Sequence, residues 1–314
     1  MSKELYLGID IGGTKIKMAV VTSKGSIKEE MVSDTDINAK PLNIVKSVIK
    51  TVSKFKNYSK IKNIGVEIAG DVSYDTGIVR FSPNLHKWKK VPLKEMFEKI
   101  TGKKTYIGND ANTASMGAFW LDTKEKASNL ICITLGTGLG GGLIFNKKLY
   151  RGASGTAGEI GHISIDPYGQ KCKCGNNGCI ETFIGAKYLS KHAIEYLKES
   201  KSSVIDELTG KNHSLITPQL LFEAAVAGDE VAKDIWKIMG EKLGIFLSNI
   251  INFANPDTIV ICGGIIQAGK YFMGAASNEI KKRAFELATK SCKILISKYT
   301  HKLGVVGAAM LLKR

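Results

Sequence analysis

Between Glu159 and Glu181 the chain gathers one histidine, three cysteines and two flanking glutamates into a glycine-rich stretch. It reads Glu159-Ile-Gly-His162 and then Cys172-Lys-Cys174-Gly-Asn-Asn-Gly-Cys179-Ile-Glu181. Three thiolates and one imidazole are a full tetrahedral set for zinc, and a site whose four positions are all protein ligands suits a structural ion. Gly175 and Gly178 let the backbone turn tightly enough to bring three sulfurs around one ion. The alternatives are disulfides or buried free thiols, and in a reduced chain zinc is the better assignment for His162, Cys172, Cys174 and Cys179. A site already filled does not need Glu159 or Glu181, so each carboxylate is free to face something else. A metal-ordered rim carrying carboxylates and an imidazole suits a polyol, whose hydroxyls need acceptors at fixed positions.

Three further clusters could act on a phosphorylated ligand. Asp10-Ile-Gly12-Gly13-Thr14-Lys15 lies between the apolar runs Leu5 to Asp10 and Ile16 to Val21, a strand, a glycine turn and a strand. Its backbone N–H groups and the Thr14 hydroxyl can meet a phosphate, with Asp10 placed to hold magnesium through water; the alternative is an ordinary hairpin. It is not a Walker loop, which needs a helix directly after the glycines. The same plan returns as Leu130 to Leu135, then Gly136-Thr137-Gly138-Leu-Gly140-Gly141-Gly142, then a strand from Leu143 to Asn146. Gly263-Gly264 closes the buried strand Thr258 to Cys262, where glycines admit a flat ring such as adenine or simply let strand and helix pack.

Asn109-Asp110 stands where a strand from Lys104 to Ile107 gives way to a helix from Ala111 to Leu121. Asp110 can cap that helix. A carboxylate at the carboxyl end of a strand can equally accept the proton of a hydroxyl nucleophile. Both roles remain open at the level of sequence.

The elements that position these residues alternate between strand and helix. Ser26 to Ser33 reads as a third strand and Pro41 to Phe55 as a helix with proline in its first turn. Ile61 to Ile68 reads as a buried strand that ends at Ala69-Gly70-Asp71, and a hairpin around Asp75 to Gly77 follows, then a short helix from Pro92 to Ile100. Beyond Glu181 the chain is mostly helical: Ala186 to Lys198, Thr217 to Ala227 and Glu230 to Phe253, the last stopped by Asn255-Pro256. A helix that follows Gly263-Gly264 and runs to about Ala288, a strand from Lys293 to Ser297 and a small-residue helix from Gly304 to Leu312 complete the chain.

With 314 residues and 44% hydrophobic content, the chain can bury a large core, and its length fits two lobes. No apolar run is long enough for a transmembrane helix, and the N-terminus enters a strand with no signal peptide, so a cytoplasmic location is expected. The formal net charge of +16 raises the question of nucleic acid. Only Arg80, Arg151, Arg283 and Arg314 are arginines; the other basic residues are lysines scattered along the chain, with no run interleaved with aromatics. Base readout and stacking platforms favour arginine and aromatics, so the charge reads as solvated faces that attract anionic substrates, with no nucleic-acid or membrane partner expected.

Taken together and in this order, the Asp10 to Lys15 turn, Asn109-Asp110, Leu135 to Gly142, Glu159 to His162, the cysteine motif and Gly263-Gly264 resemble the signature of the ROK sugar kinases and repressors over nearly the whole chain. The resemblance implies an α/β fold of the two-lobed, actin-like ATPase (ribonuclease H-like) kind with an inserted zinc-binding loop. The lobes would be residues 1–120, joined by a C-terminal helix at 300–314, and residues 121–299, with the zinc module at 159–181. It implies ATP-dependent phosphorylation of the C6 hydroxyl of a hexose, glucose first. N-acetylglucosamine, N-acetylmannosamine and fructose are the alternative substrates, and a sugar sensor without turnover is the alternative role. Asp110 would be the general base, with Gly70, Asn109, Asp110, Glu159, His162 and Glu181 as sugar contacts. Asp10, Gly12, Gly13, Thr14, Lys15, Gly136, Thr137, Gly138, Gly140, Gly263 and Gly264 would meet the nucleotide. Structural zinc, magnesium with ATP, and a homo-oligomer (dimer or tetramer) are implied as well. A repressor of this family would carry a DNA-binding domain before the first turn, and nine residues precede Asp10. Glucokinase-like members often have Pro-Gly where this chain has Ala69-Gly70, so the sugar itself is left open.

Overall fold

The computed structural model describes residues 4–198 and 203–313. The chain forms two compact units, one drawn from within Met1–Cys132, Gly142–Gly158 and Ser297–Arg314, the other from Ile133–Gly141 and Glu159–Ile296. Among the described residues no helix is long and apolar enough to cross a membrane.

The first unit is built on a sheet of order β3-β2-β1-β4-β8. Strands β1 (Leu5–Ile11), β2 (Lys15–Thr22) and β3 (Ile27–Asp34) form an antiparallel meander. The outermost, β3, alternates exposed and half-buried residues and carries Lys28, Glu29 and Glu30, charges that blunt an open sheet edge. Helix α1 (Pro41–Val52) starts on its proline and buries Ile44, Val45, Val48 and Val52, one face at helical spacing. Strand β4 (Ile61–Ile68) then pairs parallel with β1. Short strands β5 (Asp71–Val72), β6 (Val79–Phe81) and β7 (Lys89–Val91) make a separate small sheet. Helix α2 (Leu93–Thr101) ends on Gly102 in the left-handed region, and β8 (Lys104–Asn109) runs parallel to β4 and leads into α3 (Asp110–Leu121). The register pairs Ile11 with Ile68 and Ile68 with Asn109, so the first glycine turn and the Asn109-Asp110 pair leave the same edge of this sheet.

The second sheet repeats the pattern, with β9 (Leu130–Leu135), β10 (Leu139–Phe145), β11 (Lys148–Tyr150), β12 (Thr258–Cys262) and β13 (Lys293–Ile296) in the order β11-β10-β9-β12-β13. Numbered within each sheet, both read 3-2-1-4-5, so the repetition of strand, glycine turn and strand in the sequence extends to the whole topology. Between β11 and β12 lie α4 (Glu181–Ile184), α5 (Ala186–Leu197), α6 (Val204–Thr209), α7 (Pro218–Val226) and α8 (Glu230–Ala254). Asp229 caps α8 by accepting the Ala232 N–H at 2.7 Å, and Asn255 ends it in the left-handed region just before Pro256. Helix α9 (Gly269–Arg283) packs on α8, where Trp236 and Phe272 are both fully buried with ring centroids 6.1 Å apart. Helix α10 (Glu286–Ser291) precedes β13, and α11 (Thr300–Met310) returns to the first sheet. Carbon atoms added at Gly8 and Gly65 would stand 1.9 and 1.7 Å from the Val305 and Ala308 carbonyl oxygens, so the two strands accept α11 only because they lack side chains there.

Several elements differ from the sequence reading. The strand expected from Leu143 to Asn146 begins at Leu139, so Gly140, Gly141 and Gly142 belong to β10 and not to the turn. The helix expected to follow Gly263-Gly264 and run to about Ala288 is a 3₁₀ turn at Gly264–Ala268, then α9, then α10. Asn252 of α8 donates to the Arg283 carbonyl at 3.2 Å and accepts the Phe285 N–H at 2.9 Å, which holds the chain extended at Ala284. Helix α6 has no counterpart in the reading, although Ser203 caps it and Gly210 ends it.

Candidate active site

In the first unit the catalytic candidates lie at the carboxyl edge of the sheet. Asn109, not Asp110, is the N-cap of α3: its Oδ1 accepts the Asn112 N–H at 3.0 Å. Asp110 is thereby the first helical residue, and the capping role open to it in the sequence belongs to its neighbour. Asp110 is exposed, yet desolvation of its carboxyl group raises its pKa above the usual aspartate value, partly offset by the backbone N–H groups of Ala111 and of Asp110 itself. Asp10 is raised for the same reason; Lys17 Nζ, 3.8 Å away, opposes the shift and the Asp110 charge adds to it. Two carboxylates at one strand edge, both with raised pKa values and one feeling the charge of the other, are groups that take up protons or cations.

The first glycine turn is a tight hairpin in which the Gly12 N–H donates to the Lys15 carbonyl at 3.1 Å and Thr14 is exposed. Lys15 pairs with Asp34, and Lys17 is the ammonium beside Asp10. Gly70 adopts φ +126°, and a Cβ there would stand 2.2 Å from the Phe81 carbonyl oxygen, so the β5–β6 hairpin itself demands this glycine. Tyr74, in that hairpin, donates its hydroxyl to Asn109 Oδ1 at 3.3 Å; no sequence motif marks it, because its partner lies on another element.

In the second unit His162, Cys172, Cys174 and Cys179 present ligand atoms that all lie within 4.8 Å of one another. Cys172 Sγ is 3.7 Å from His162 Nδ1, and Cys174 Sγ is 3.6 Å from Cys179 Sγ. Two sulfurs bound to one zinc at about 2.3 Å would be about 3.8 Å apart in a tetrahedron, so these side chains have the spacing of a metal tetrahedron. All four are brought together by a loop with two isolated bridges, Ser164 to Cys179 and Lys171 to Asn177. All six cysteines are free, so the set is not a disulfide pair. Burial pushes the Cys179 thiol up to about 12, whereas the Asn176 backbone N–H lowers Cys174.

The other nitrogen of the same ring, His162 Nε2, faces Glu159 at 4.0 Å, and Glu159 is exposed. Glu181, the first residue of α4, reaches the second glycine turn, where its Oε2 accepts the Leu139 N–H at 2.9 Å. One carboxylate oxygen of Glu181 is therefore engaged by backbone. In the turn itself the Gly136 N–H donates to the Gly138 carbonyl at 3.0 Å, and Thr137 is exposed. A Cβ at Gly138 would stand 2.3 Å from Glu181 Oε2, while one at Gly136 or Gly264 would meet nothing within 4 Å. Gly263, at φ +111°, would put a Cβ 2.0 Å from the Leu135 carbonyl oxygen.

The ROK family model matches residues 6–314. A glucokinase of Halalkalibacterium halodurans is 33% identical, with 100% of this chain and 96% of that protein covered. The xylose repressor of Caldicellulosiruptor bescii is 31% identical, with 96% of this chain and 76% of that protein covered. Among solved structures, a ROK family glucokinase from Streptomyces griseus in complex with glucose and AMPPNP superposes at a TM-score of 0.79, with 31% identity and 98% of each chain covered. Twin 3-2-1-4-5 sheets and a family match across the described chain lead to one conclusion: this protein is a member of the ROK family, with its mixed α/β, actin-like ATPase fold.

Proposed function

We propose that this protein is an ATP-dependent sugar kinase that transfers the γ-phosphoryl group to the C6 hydroxyl of a hexose, glucose first. Asp110 carries the reading. It is a carboxylate at a strand end whose pKa is raised by desolvation although the residue is exposed, and the helix-capping task that would explain it structurally is performed by Asn109. As general base, Asp110 accepts the hydroxyl proton while that oxygen attacks phosphorus. The raised pKa makes it a stronger base than a fully solvated aspartate. Asn109, Glu159, His162, Glu181 and the Gly70 backbone hold the sugar. The two glycine turns with Lys15, and Gly263-Gly264, hold the nucleotide. Magnesium arrives with ATP and neutralises phosphate charge, with Asp10 as the carboxylate at the first turn.

The Cys172 to Cys179 loop with His162 would hold one structural zinc, whose contribution is to fix the loop and so orient Glu159, His162 and Glu181. His162 would bind the metal through Nδ1 and leave Nε2 for Glu159 and the sugar, in keeping with the two faces its ring presents.

A sugar sensor without turnover is the second reading, favoured by the similarity to a xylose repressor. Initial rates of ADP release with glucose, N-acetylglucosamine, N-acetylmannosamine and fructose at one ATP concentration decide between them. Sugar-dependent ADP release supports the kinase. Sugar binding by calorimetry with no ADP release from any of the four would establish the sensor.

A further inference from the structure

We infer that Tyr74 is a positioning residue of the sugar site, which locks the Asn109 carboxamide so that only its N–H groups can face the substrate. The inference rests on the sugar-kinase reading above.

Asn109 Oδ1 accepts two hydrogen bonds, the Asn112 backbone N–H at 3.0 Å and the Tyr74 hydroxyl at 3.3 Å. The Tyr74 oxygen in turn accepts from Asn112 Nδ2 at 2.7 Å. The chain runs in one direction, from Asn112 Nδ2 through the Tyr74 hydroxyl to Asn109 Oδ1, and each bond polarises the next. An amide oxygen has two lone pairs. Both are used here, so what Asn109 has left to offer is Nδ2.

The supports of this relay are rigid. Asn112 is 3% exposed and lies in the first turn of α3, packed so that its Nδ2 meets the Tyr74 oxygen while its Oδ1 is buried without a hydrogen-bond partner among the described residues. Tyr74 sits in the β5–β6 hairpin, and the Arg151 guanidinium lies over its ring, 4.1 Å from the centroid, a cation–π contact that holds the ring face. The cap alone would orient Asn109 with one hydrogen bond; Tyr74 supplies the second.

A donor-only asparagine beside a general base has a defined effect. The sugar hydroxyl that meets it must accept, and its own hydrogen is thereby turned toward another acceptor. Substrates gain affinity from this only while the amide cannot rotate. Tyr74 therefore acts on sugar recognition through Asn109 and has no part in nucleotide binding.

The test is Tyr74→Phe, which retains the ring and its contact with Arg151 and removes only the hydroxyl. Steady-state rates are measured with the best sugar of the panel, varying sugar and ATP separately, alongside thermal unfolding. The KM for sugar is expected to rise about three- to tenfold, the loss of one hydrogen bond's worth of order, with the KM for ATP within twofold of wild type. Arg151→Lys, which keeps the hydroxyl and the charge, is expected to raise the sugar KM less than Tyr74→Phe does. An unchanged sugar KM in Tyr74→Phe overturns the inference and leaves the kinase reading intact. Sugar and ATP constants that rise together with a lowered melting temperature overturn it too, because they mark a merely structural residue. If wild-type protein neither turns over nor binds any sugar, both the reading and this inference fail.

Discussion

Glu181 Oε2 accepts the Leu139 backbone N–H at 2.9 Å, which ties the residue that follows the cysteine loop to the second glycine turn. The proposed sugar contact and the proposed phosphate turn thus share one carboxylate within the second unit. Glu181→Ala frees that N–H and removes the sugar contact, so KM should rise for both sugar and ATP. Glu159→Ala, at an exposed residue whose side chain faces His162, should raise the sugar KM alone. Equal effects of the two substitutions on ATP would show that the Glu181 contact does not shape the turn.

The same contact makes Gly138 a poor probe of phosphate binding, because a side chain there displaces Glu181. Gly136→Ala and Gly264→Ala are the clean substitutions: the added methyl meets no protein atom in either case, so stability should match wild type. If nucleotide approaches those glycines closely, KM for ATP rises by tenfold or more on the scale of about 1.4 kcal/mol per decade, and sugar binding persists. Unaltered ATP kinetics in both variants would remove these glycines from the nucleotide site.

Asp110→Asn leaves the cap of α3 untouched, because Asn109 makes it. Turnover should fall by ~10²- to 10⁴-fold, as for loss of a general base, while sugar still binds. A variant within a few-fold of wild type would end the assignment.

The pH dependence follows from the raised pKa of Asp110. The native state holds this proton more tightly than the unfolded chain, so its contribution to stability is full below the ordinary aspartate pKa and is lost as pH rises through the native value. At neutral pH the partly desolvated charge is therefore a cost, and Asp110→Asn should unfold at a temperature equal to or above that of wild type, with the gap closing in acid. Activity moves the opposite way: the acid limb of kcat/KM should lie above the usual carboxylate range, since the base must be ionised. A limb at or below that range, measured across buffers of constant ionic strength, would contradict the raised pKa.

The cysteine cluster should carry one zinc per chain by elemental analysis of protein purified without chelators. Cys174→Ser should lose metal, lower the melting temperature and weaken sugar binding, because the loop that bears Glu159 and leads to Glu181 loses its anchor. Retention of full sugar affinity by metal-free protein would separate the cluster from the site.

The fold was legible in the residues because its signals are local. Apolar runs meeting glycines at Gly12-Gly13 and Gly136 to Gly142 marked the strand-turn-strand repeats, and Asn255-Pro256 marked the end of α8. The metal candidate was legible for the same reason, since Cys172, Cys174 and Cys179 fall within one short loop whose spacing limits how far apart the sulfurs can be. Tertiary structure alone decided which of Asn109 and Asp110 caps α3, since both residue types make good caps and the choice depends on where β8 releases the chain. It alone decided that Lys15 is drawn to Asp34 while Lys17 stands by Asp10, and that Glu181 spends an oxygen on Leu139. It alone revealed Tyr74, whose partners Asn109 and Asn112 are separated from it by 35 and 38 positions. Hydrogen bonds between residues so far apart leave no periodicity or spacing in the chain; they exist only after parallel pairing of β1, β4 and β8 has brought the hairpin that follows β4 against the start of α3.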